Sequence, residues 1–177
     1  MIRGLIQVYT GDGKGKTTAA VGQALRFLGR DCRVIMAQFL KQKDASGEVL
    51  ILRKLGVEIL FWGGDYGKRL IANLPLEDVE NIRKEGENFL KEVMQRIKNK
   101  RYDLLILDEI SVAINHGLIR EKNLIELLRN KPDFLEVIIT GRGVPSGIIS
   151  IADLVTEMRK IKHPYDQGIK LRKGVEY

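Results

Sequence analysis

The sequence has little of the side-chain chemistry on which many enzymes rely. Its 177 residues include one cysteine and two histidines. The lone Cys32 excludes an intrachain disulfide and a metal site made only of cysteines. His116 and His163 are not spaced as zinc ligands, and no Ser-His-Asp arrangement can be placed on the chain. We therefore expect neither a zinc site nor a serine triad, but a cytoplasmic protein with one buried thiol.

Long hydrophobic runs are also absent. No apolar stretch approaches the roughly 20 residues that a membrane-spanning helix needs, so we expect no membrane partner. The first residues lead directly into a strand pattern, which predicts no signal or transit peptide. The length of 177 residues is typical of one domain, and we predict a single domain over residues 1–177.

Aromatic residues make up only 6% of the chain, whereas its net charge is +7. A basic excess favours anionic partners such as nucleotides, polyphosphates or nucleic acid. The few aromatic residues do not alternate with a basic stripe, as they do in grooves that bind single strands. We therefore expect no nucleic-acid partner.

Glycine and proline divide the chain into alternating strand and helix patterns. Strands are predicted at 5–9, 33–39, 57–61, 104–107, 137–139 and 154–158, helices at 16–28, 47–55, 75–97 and 121–129, and a loop at 62–74. Continuously apolar strands that alternate with helices are typical of a parallel sheet covered on both faces. The pattern predicts an α/β fold of three layers, with a mostly parallel central sheet between helices.

The glycine-rich turn after the first strand predicts a phosphate-binding loop. Apart from its first position it fits the pattern G-x-x-x-x-G-K-[ST], and it opens a helix. The N–H groups of such a loop point into one concavity, to which the helix N-terminus adds about half a positive charge. Lys16 is expected to reach phosphate oxygens, and the Thr17 hydroxyl to bind Mg²⁺. The predicted nucleotide-binding residues of the loop are Thr10, Gly11, Asp12, Gly13, Lys14, Gly15, Lys16, Thr17 and Thr18.

Polar residues follow two further predicted strands. Asp108 and Glu109 come directly after the apolar run 104–107, where a carboxylate can hold Mg²⁺ and its neighbour can assist the metal or orient a water. Arg142 follows the strand at 137–139 and is a candidate clamp on phosphate oxygens. Alternatively, Asp108 caps a helix and Arg142 lies on a surface turn. Because ligands of parallel sheets bind at the carboxyl ends of the strands, we expect these residues to meet the phosphate loop.

Seven segments carry more specific patterns. They are TGDGKGKTTAA (10–20), AQFLK (37–41), SGE (46–48), LLILDEI (104–110), VIITGRGVP (137–145), ADLVTEMR (152–159) and KHPYDQGIKLRKGVEY (162–177). Together they resemble the P-loop ATP:corrinoid adenosyltransferases, from about residue 4 to the last residue. The three C-terminal segments are far more specific for this family than the phosphate loop is.

The resemblance implies a RecA-like P-loop fold, usually a homodimer, with ATP and Mg²⁺ (or Mn²⁺), and a reductase that supplies the reduced corrinoid. Members transfer the 5′-deoxyadenosyl group of ATP to the Co(I) of a corrinoid, releasing triphosphate and forming adenosylcobalamin. By resemblance, residues 11–18 hold the triphosphate, and Thr17, Asp108 and Glu109 hold the metal. Lys16 and Arg142 would be the catalytic residues that stabilise the charge of the departing triphosphate.

The expected corrinoid loop departs from the family pattern. The third strand of the family usually leads to an M-G-x-G-F-T-W loop whose aromatic residues contact the corrinoid. Here a gapless alignment places Tyr66 at the Phe position and Lys68 at the Trp position, and Gln42 stands where a glycine often follows AQFLK. The expected corrinoid-contacting residues are Phe61, Trp62, Tyr66 and Lys68. For Phe61 and Trp62 the alternative is packing in the core.

Two other functions stay open from the residues alone. A kinase or ATPase on the same core would release ADP or phosphate rather than triphosphate. A nucleotide-dependent binding module without catalysis would bind DNA or RNA in a salt-sensitive way.

Overall fold

A computed structural model describes residues 3–41, 46–63 and 76–175 of the chain. In chain order its elements are β1 (Ile6–Thr10), α1 (Lys16–Leu28), β2 (Val34–Lys41), α2 (Gly47–Lys54), β3 (Glu58–Gly63), α3 (Leu76–Asn99), β4 (Leu104–Asp108), α4 (Ile110–Asn115), α5 (Glu121–Arg129), β5 (Glu136–Thr140), α6 (Ser146–Ile151), β6 (Leu154–Glu157) and a 3₁₀ turn (Pro164–Gln167). In this part of the chain, no helix combines the length and the apolar character needed to cross a bilayer.

The described strands form one sheet in the order β3-β2-β4-β5-β1-β6. Every pair of neighbouring strands is parallel, so the predicted α/β fold with a parallel central sheet is confirmed. The first strand lies between β5 and β6, which come last in the chain. The loop that follows β1 therefore has residues from the C-terminal half of the sequence on both sides.

Strict alternation of side chains along the strands divides the core into two layers. Val34 and Met36 of β2 pack on one face of the sheet with α1 and α2. Ile35, Ala37 and Phe39 of the same strand pack on the other face with α3, α4, α5 and α6. Because both faces are covered, these strands are apolar at successive positions, and this explains why the sequence pattern identifies them.

Some predicted boundaries and environments need correction. β2 continues to Lys41 and β3 to Gly63, so that Trp62 and Gly63, predicted in a loop, belong to a strand. The helices α4 and α6 are not predicted, because six residues are too few to show a helical period. Cys32 is only partly buried, contrary to the expectation of a buried thiol.

An aromatic cluster joins β2, β3 and α3. The Phe39 ring lies edge-on to Trp62 and Phe89, with centroids 6.2 and 5.1 Å away. Gly86 of α3 lets the Trp62 indole approach the helix: a Cβ on Gly86 would lie 2.8 Å from Trp62 Cη2 and 2.9 Å from the Leu118 carbonyl oxygen. The cluster thus fixes the end of β3 by close packing.

We predict that Gly86→Ala destabilises the protein, whereas Gly22→Ala in α1 stabilises it. The first substitution forces an immobile backbone oxygen and an indole to move, which costs about 1–3 kcal/mol. The second meets no atom within 4 Å and gains about 0.5–1 kcal/mol of helix propensity. Chemical denaturation of both variants measures the difference; equal free energies of unfolding would contradict the packing described.

Candidate active site

The phosphate loop wraps around the ammonium group of Lys16. Gly15 ends the loop in the left-handed region at φ 118°, and α1 begins at the next residue. Lys16 Nζ donates to the carbonyl oxygens of Gly11 and Gly13, both at 2.7 Å. The lysine is therefore held over the concavity where phosphate oxygens are expected, and its present partners are two weak, neutral acceptors.

Met158, which directly follows β6, supports the loop through two backbone hydrogen bonds. Met158 donates its N–H to the Thr10 carbonyl at 2.8 Å, and its own carbonyl accepts from the N–H of Gly13 at 2.6 Å. A Cβ on Gly13 would lie 2.6 Å from that Met158 oxygen, so only glycine fits. The segment ADLVTEMR is therefore part of the phosphate site, which the sequence alone does not reveal, because Met158 lies 145 positions after Gly13.

Asp108, the last residue of β4, lies at the centre of the site. Its carboxylate is 0% exposed and accepts hydrogen bonds from four side chains. Thr17 and Thr140 donate to Oδ1 at 2.8 and 2.7 Å. Gln38 and Lys41 donate to Oδ2 at 3.1 and 2.5 Å. The structure thus brings the phosphate loop, β2, β4 and β5 together on one buried charge, as the sequence predicts for Thr17 and Asp108. The N-cap of α4 is Glu109, so Asp108 is not a helix cap.

Thr17 and Asp108 provide oxygen ligands of the type that Mg²⁺ and Mn²⁺ prefer. No group of three His, Cys, Asp or Glu side chains suited to a metal occurs in residues 3–41, 46–63 and 76–175. Mg²⁺ is usually held by one or two protein oxygens together with water and substrate phosphates. Thr17 and Asp108 offer oxygen donors of that type and number.

Lys16 and Glu109 have perturbed titration behaviour. Burial lowers the pKa of Lys16, an effect that Glu109 opposes and Arg142 reinforces. Burial raises the pKa of Glu109, and the charge of Asp108 raises it further, whereas the cationic side chains of the site oppose this shift. Each of the two groups is therefore among the charges that shift the pKa of the other.

A cleft of about 1270 Å³ opens above these residues. Residues 12–18 line it, and Glu109 and Arg142 lie on its wall, as expected from the strand ends. The backbone around Arg142 is held by Asn115, which donates to the Arg142 carbonyl at 3.1 Å. The predicted convergence of the three polar segments on one cleft is therefore observed.

The C-terminal segment forms part of the same cleft. His163 and Tyr165 line it, and Lys14 Nζ donates to the Val175 carbonyl at 2.8 Å. In the sequence, only the resemblance of residues 162–177 to a family motif indicates a functional role for this segment. The His163 imidazole accepts a hydrogen bond from the Tyr165 N–H and so shapes the turn.

Trp62 lies in the core rather than in the cleft. It is 9% exposed and stacks near Phe89, with ring centroids 6.4 Å apart. This burial favours the alternative given for Trp62, packing in the core, over a contact with a corrinoid. Phe61 is half-buried beneath the Arg53 guanidinium, 5.2 Å from its ring centroid. Tyr66, Lys68 and Gln42 lie outside the described residues.

Three side chains that contact Asp108 are not among the site residues predicted from the sequence: Gln38, Lys41 and Thr140. Each lies near the carboxyl end of a buried strand and contacts Asp108. The available signal is a polar side chain in or directly after an apolar strand, as at Gln38 within VIMAQF. Thr140 also accepts a hydrogen bond from the Glu109 N–H at 3.0 Å, so it positions both acidic residues.

Comparisons with known proteins agree with this geometry. A family model described as "ATP:corrinoid adenosyltransferase BtuR/CobO/CobP" matches residues 2–177. The corrinoid adenosyltransferase of Escherichia coli (strain K12) is 35% identical over 179 residues, which cover 99% of this chain and 86% of the relative. That of Pseudomonas aeruginosa is 32% identical over 175 residues, covering 99% of this chain and 84% of the relative.

The crystal structure of flagellar accessory protein FlaH from Methanocaldococcus jannaschii is similar with a TM-score of 0.61 at 16% identity, covering 88% of this chain and 71% of that one. Such a likeness bears on the fold alone, and it agrees with a RecA-like α/β fold.

We predict that Thr140→Val destabilises the unliganded protein by about 2 kcal/mol. The substitution keeps the shape but leaves the buried Glu109 N–H without its acceptor and removes one donor from Asp108. Thr156→Val on β6, where the side chain is exposed, is the matched control and should change stability by less than about 0.5 kcal/mol. Equal effects of the two substitutions on the urea midpoint would refute the role given to Thr140.

Proposed function

The chain belongs to the ATP:corrinoid adenosyltransferase family, and we propose that its cleft aligns the ribose of ATP with the Co(I) centre of a corrinoid. ATP and a corrinoid are its substrates. The products we propose are triphosphate and an adenosylated corrinoid such as adenosylcobalamin. The observation that supports this best is the convergence of a phosphate loop, a buried acidic strand end and the C-terminal family motif on one cleft.

The phosphate loop would hold the triphosphate of ATP. Lys16 exchanges its two carbonyl partners for phosphate oxygens, which are charged and therefore stronger acceptors. The N–H groups at the start of α1 add oriented dipoles. Arg142, which also lines the cleft, supplies a second cation to oxygens that gain charge as the triphosphate departs. The chain thus places positive charge where negative charge develops.

Thr17 and Asp108 would hold Mg²⁺ or Mn²⁺, with Glu109 beside them. When bound, the metal neutralises charge on the triphosphate and so makes it a better leaving group. Thr140 and Gln38 keep the Asp108 carboxylate in a fixed orientation for this task. Burial raises the pKa of Glu109, and the positive charges of Lys41, Lys16 and Arg142 oppose this shift.

The reaction needs no general base from the protein. The electron pair of Co(I) attacks the 5′-carbon of the ribose, the cobalt–carbon bond forms, and the bond from that carbon to the triphosphate oxygen breaks with its electrons. No proton is removed from a nucleophile. This agrees with a cleft whose described lining has several cations but only one histidine. Positioning and charge stabilisation are the contributions that remain for the protein.

The corrinoid would approach the cleft near the end of β3, the strand at one edge of the sheet. Tyr66 and Lys68 follow β3 closely in sequence and occupy the aromatic positions of the family loop. We propose that Tyr66 contacts the corrinoid, whereas Trp62 supports the end of β3 from the core.

Four further features are part of the proposal. The chain functions as one domain and as a homodimer in the cytoplasm, and a separate reductase generates the Co(I) state of its substrate.

We predict that Lys16→Ala lowers kcat/KM for adenosylation at least 10²–10³-fold, roughly the loss expected for one donor to developing charge. The assay follows the visible spectrum of chemically reduced cobalamin with MgATP, and the product must be light-sensitive. Lys91→Ala on the exposed face of α3 is the control and should keep full activity. Near-normal turnover of the Lys16 variant, with its fold verified by circular dichroism, would contradict the proposal.

The phosphorus product separates this function from that of a kinase or ATPase. We predict one intact triphosphate per cobalt–carbon bond, measured by ³¹P NMR of the completed reaction. ADP or free phosphate in matching amounts would favour the kinase or ATPase instead.

We predict that Tyr66→Ala raises the KM for the corrinoid about tenfold, as loss of an aromatic contact does, and leaves the KM for ATP unchanged. Tyr66→Phe should retain the affinity for the corrinoid. A change in the KM for ATP, or none in either constant, would show that Tyr66 does not contact the corrinoid.

A further inference from the structure

The end of β2 contains a bulge that redirects Lys41. Phe39 pairs with Trp62 and Lys41 pairs with Gly63, so Leu40 is an extra residue in the ladder. In a regular strand, residues 38 and 41 would point to opposite faces of the sheet. Because of the bulge, both side chains point to the same face of the sheet. Gln38 Nε2 and Lys41 Nζ both reach Asp108 Oδ2, at 3.1 and 2.5 Å.

The backbone of the bulge is strained. Leu40 has φ 58°, in the left-handed region that a large side chain rarely adopts. Gly63 on β3 accommodates it: a Cβ there would lie 2.4 Å from Leu40 Cα. Such strain persists only where the surrounding structure compensates for it, and it is concentrated at functional sites. The feature that it produces here is the contact between Lys41 and Asp108.

That contact neutralises a charge that water cannot reach. Asp108 is 0% exposed, and the other three donors to its carboxylate are neutral. Lys41 is the one cation bonded to this carboxylate among the described residues, and 27% of its side chain is exposed. It also lines the cleft. The ammonium group can therefore leave Asp108 for the cleft without crossing the core.

We propose that Lys41 is a positioning residue that occupies the metal site of the nucleotide-free protein and is displaced when the metal–ATP complex binds. The inference rests on the proposed function, in which Thr17 and Asp108 hold the metal. Two cations at one carboxylate repel each other in a site of low dielectric. A metal ion alone must displace Lys41 without compensation. A metal that arrives with ATP brings phosphates, which offer the released ammonium new acceptors.

The experiment measures Mn²⁺ binding to nucleotide-free protein by electron paramagnetic resonance. Lys41→Met removes the competing charge, so the apparent dissociation constant should fall about tenfold or more, as expected when a competent state of about 10% population becomes dominant. Lys160→Met is the matched control: Lys160 lines the same cleft but pairs with Asp166 at 3.1 Å. It removes one charge from the cleft without touching Asp108, and its effect should be less than threefold, roughly that of a long-range surface charge.

Lys41→Gln tests the same point if the methionine variant does not fold, because glutamine still donates to the buried carboxylate while lacking the charge. It should also bind Mn²⁺ more tightly than the unmodified chain. Adding Asp108→Asn to either variant should abolish the gain. Unchanged or weaker Mn²⁺ binding in both Lys41 variants, equal gains with Lys160→Met, or a gain that survives Asp108→Asn would each overturn the inference.

The outcomes separate this inference from the proposed function. An active adenosyltransferase whose Mn²⁺ affinity does not respond to Lys41 contradicts only the displacement of Lys41. A protein with the expected Mn²⁺ affinities that forms no cobalt–carbon product contradicts only the proposed function.

Discussion

The buried carboxylate of Asp108 is the interaction on which the rest of the site depends. A carboxylate excluded from water is stable only when its oxygens are hydrogen-bonded and its charge is neutralised. Here the four donors come from two strands and the first helix: Gln38 and Lys41 on β2, Thr140 on β5 and Thr17 on α1. This one carboxylate thereby fixes the relative positions of the phosphate loop and of three strand ends. Those positions determine the shape of the cleft above them.

Two cations of the nucleotide-free site, Lys16 and Lys41, have internal partners. Lys16 is bonded to two loop carbonyls, and Lys41 to Asp108. Neither arrangement leaves a charge unsatisfied, yet each partner is one that phosphate or a metal can replace. The site is therefore preorganised in position, because the side chains already converge. In the proposed function, substrate binding would exchange these partners, and the exchange would couple the affinity for the metal to the presence of the triphosphate.

Much of the fold and part of the site could be predicted from the sequence. The strands of the core are continuously apolar, the phosphate loop carries its own spacing, and α5 is found at the predicted residues Glu121–Arg129. The support of the loop by Met158 and the bulge at Leu40 could not be predicted, because both arise from contacts between distant segments. Trp62 is a case in which the sequence context indicates the wrong environment. An aromatic residue before a glycine-rich segment suggests a ligand contact, but packing against Phe39 and Phe89 places this side chain in the core.

Anomalous X-ray diffraction from crystals grown with ATP and Mn²⁺ tests the central claim most directly. The account predicts a manganese peak bonded to the Thr17 hydroxyl and adjacent to Asp108, with phosphate oxygens on Lys16 and with the Lys41 ammonium withdrawn from the carboxylate. An ordered nucleotide with manganese bound elsewhere, and with all four hydrogen bonds to Asp108 intact, would contradict it.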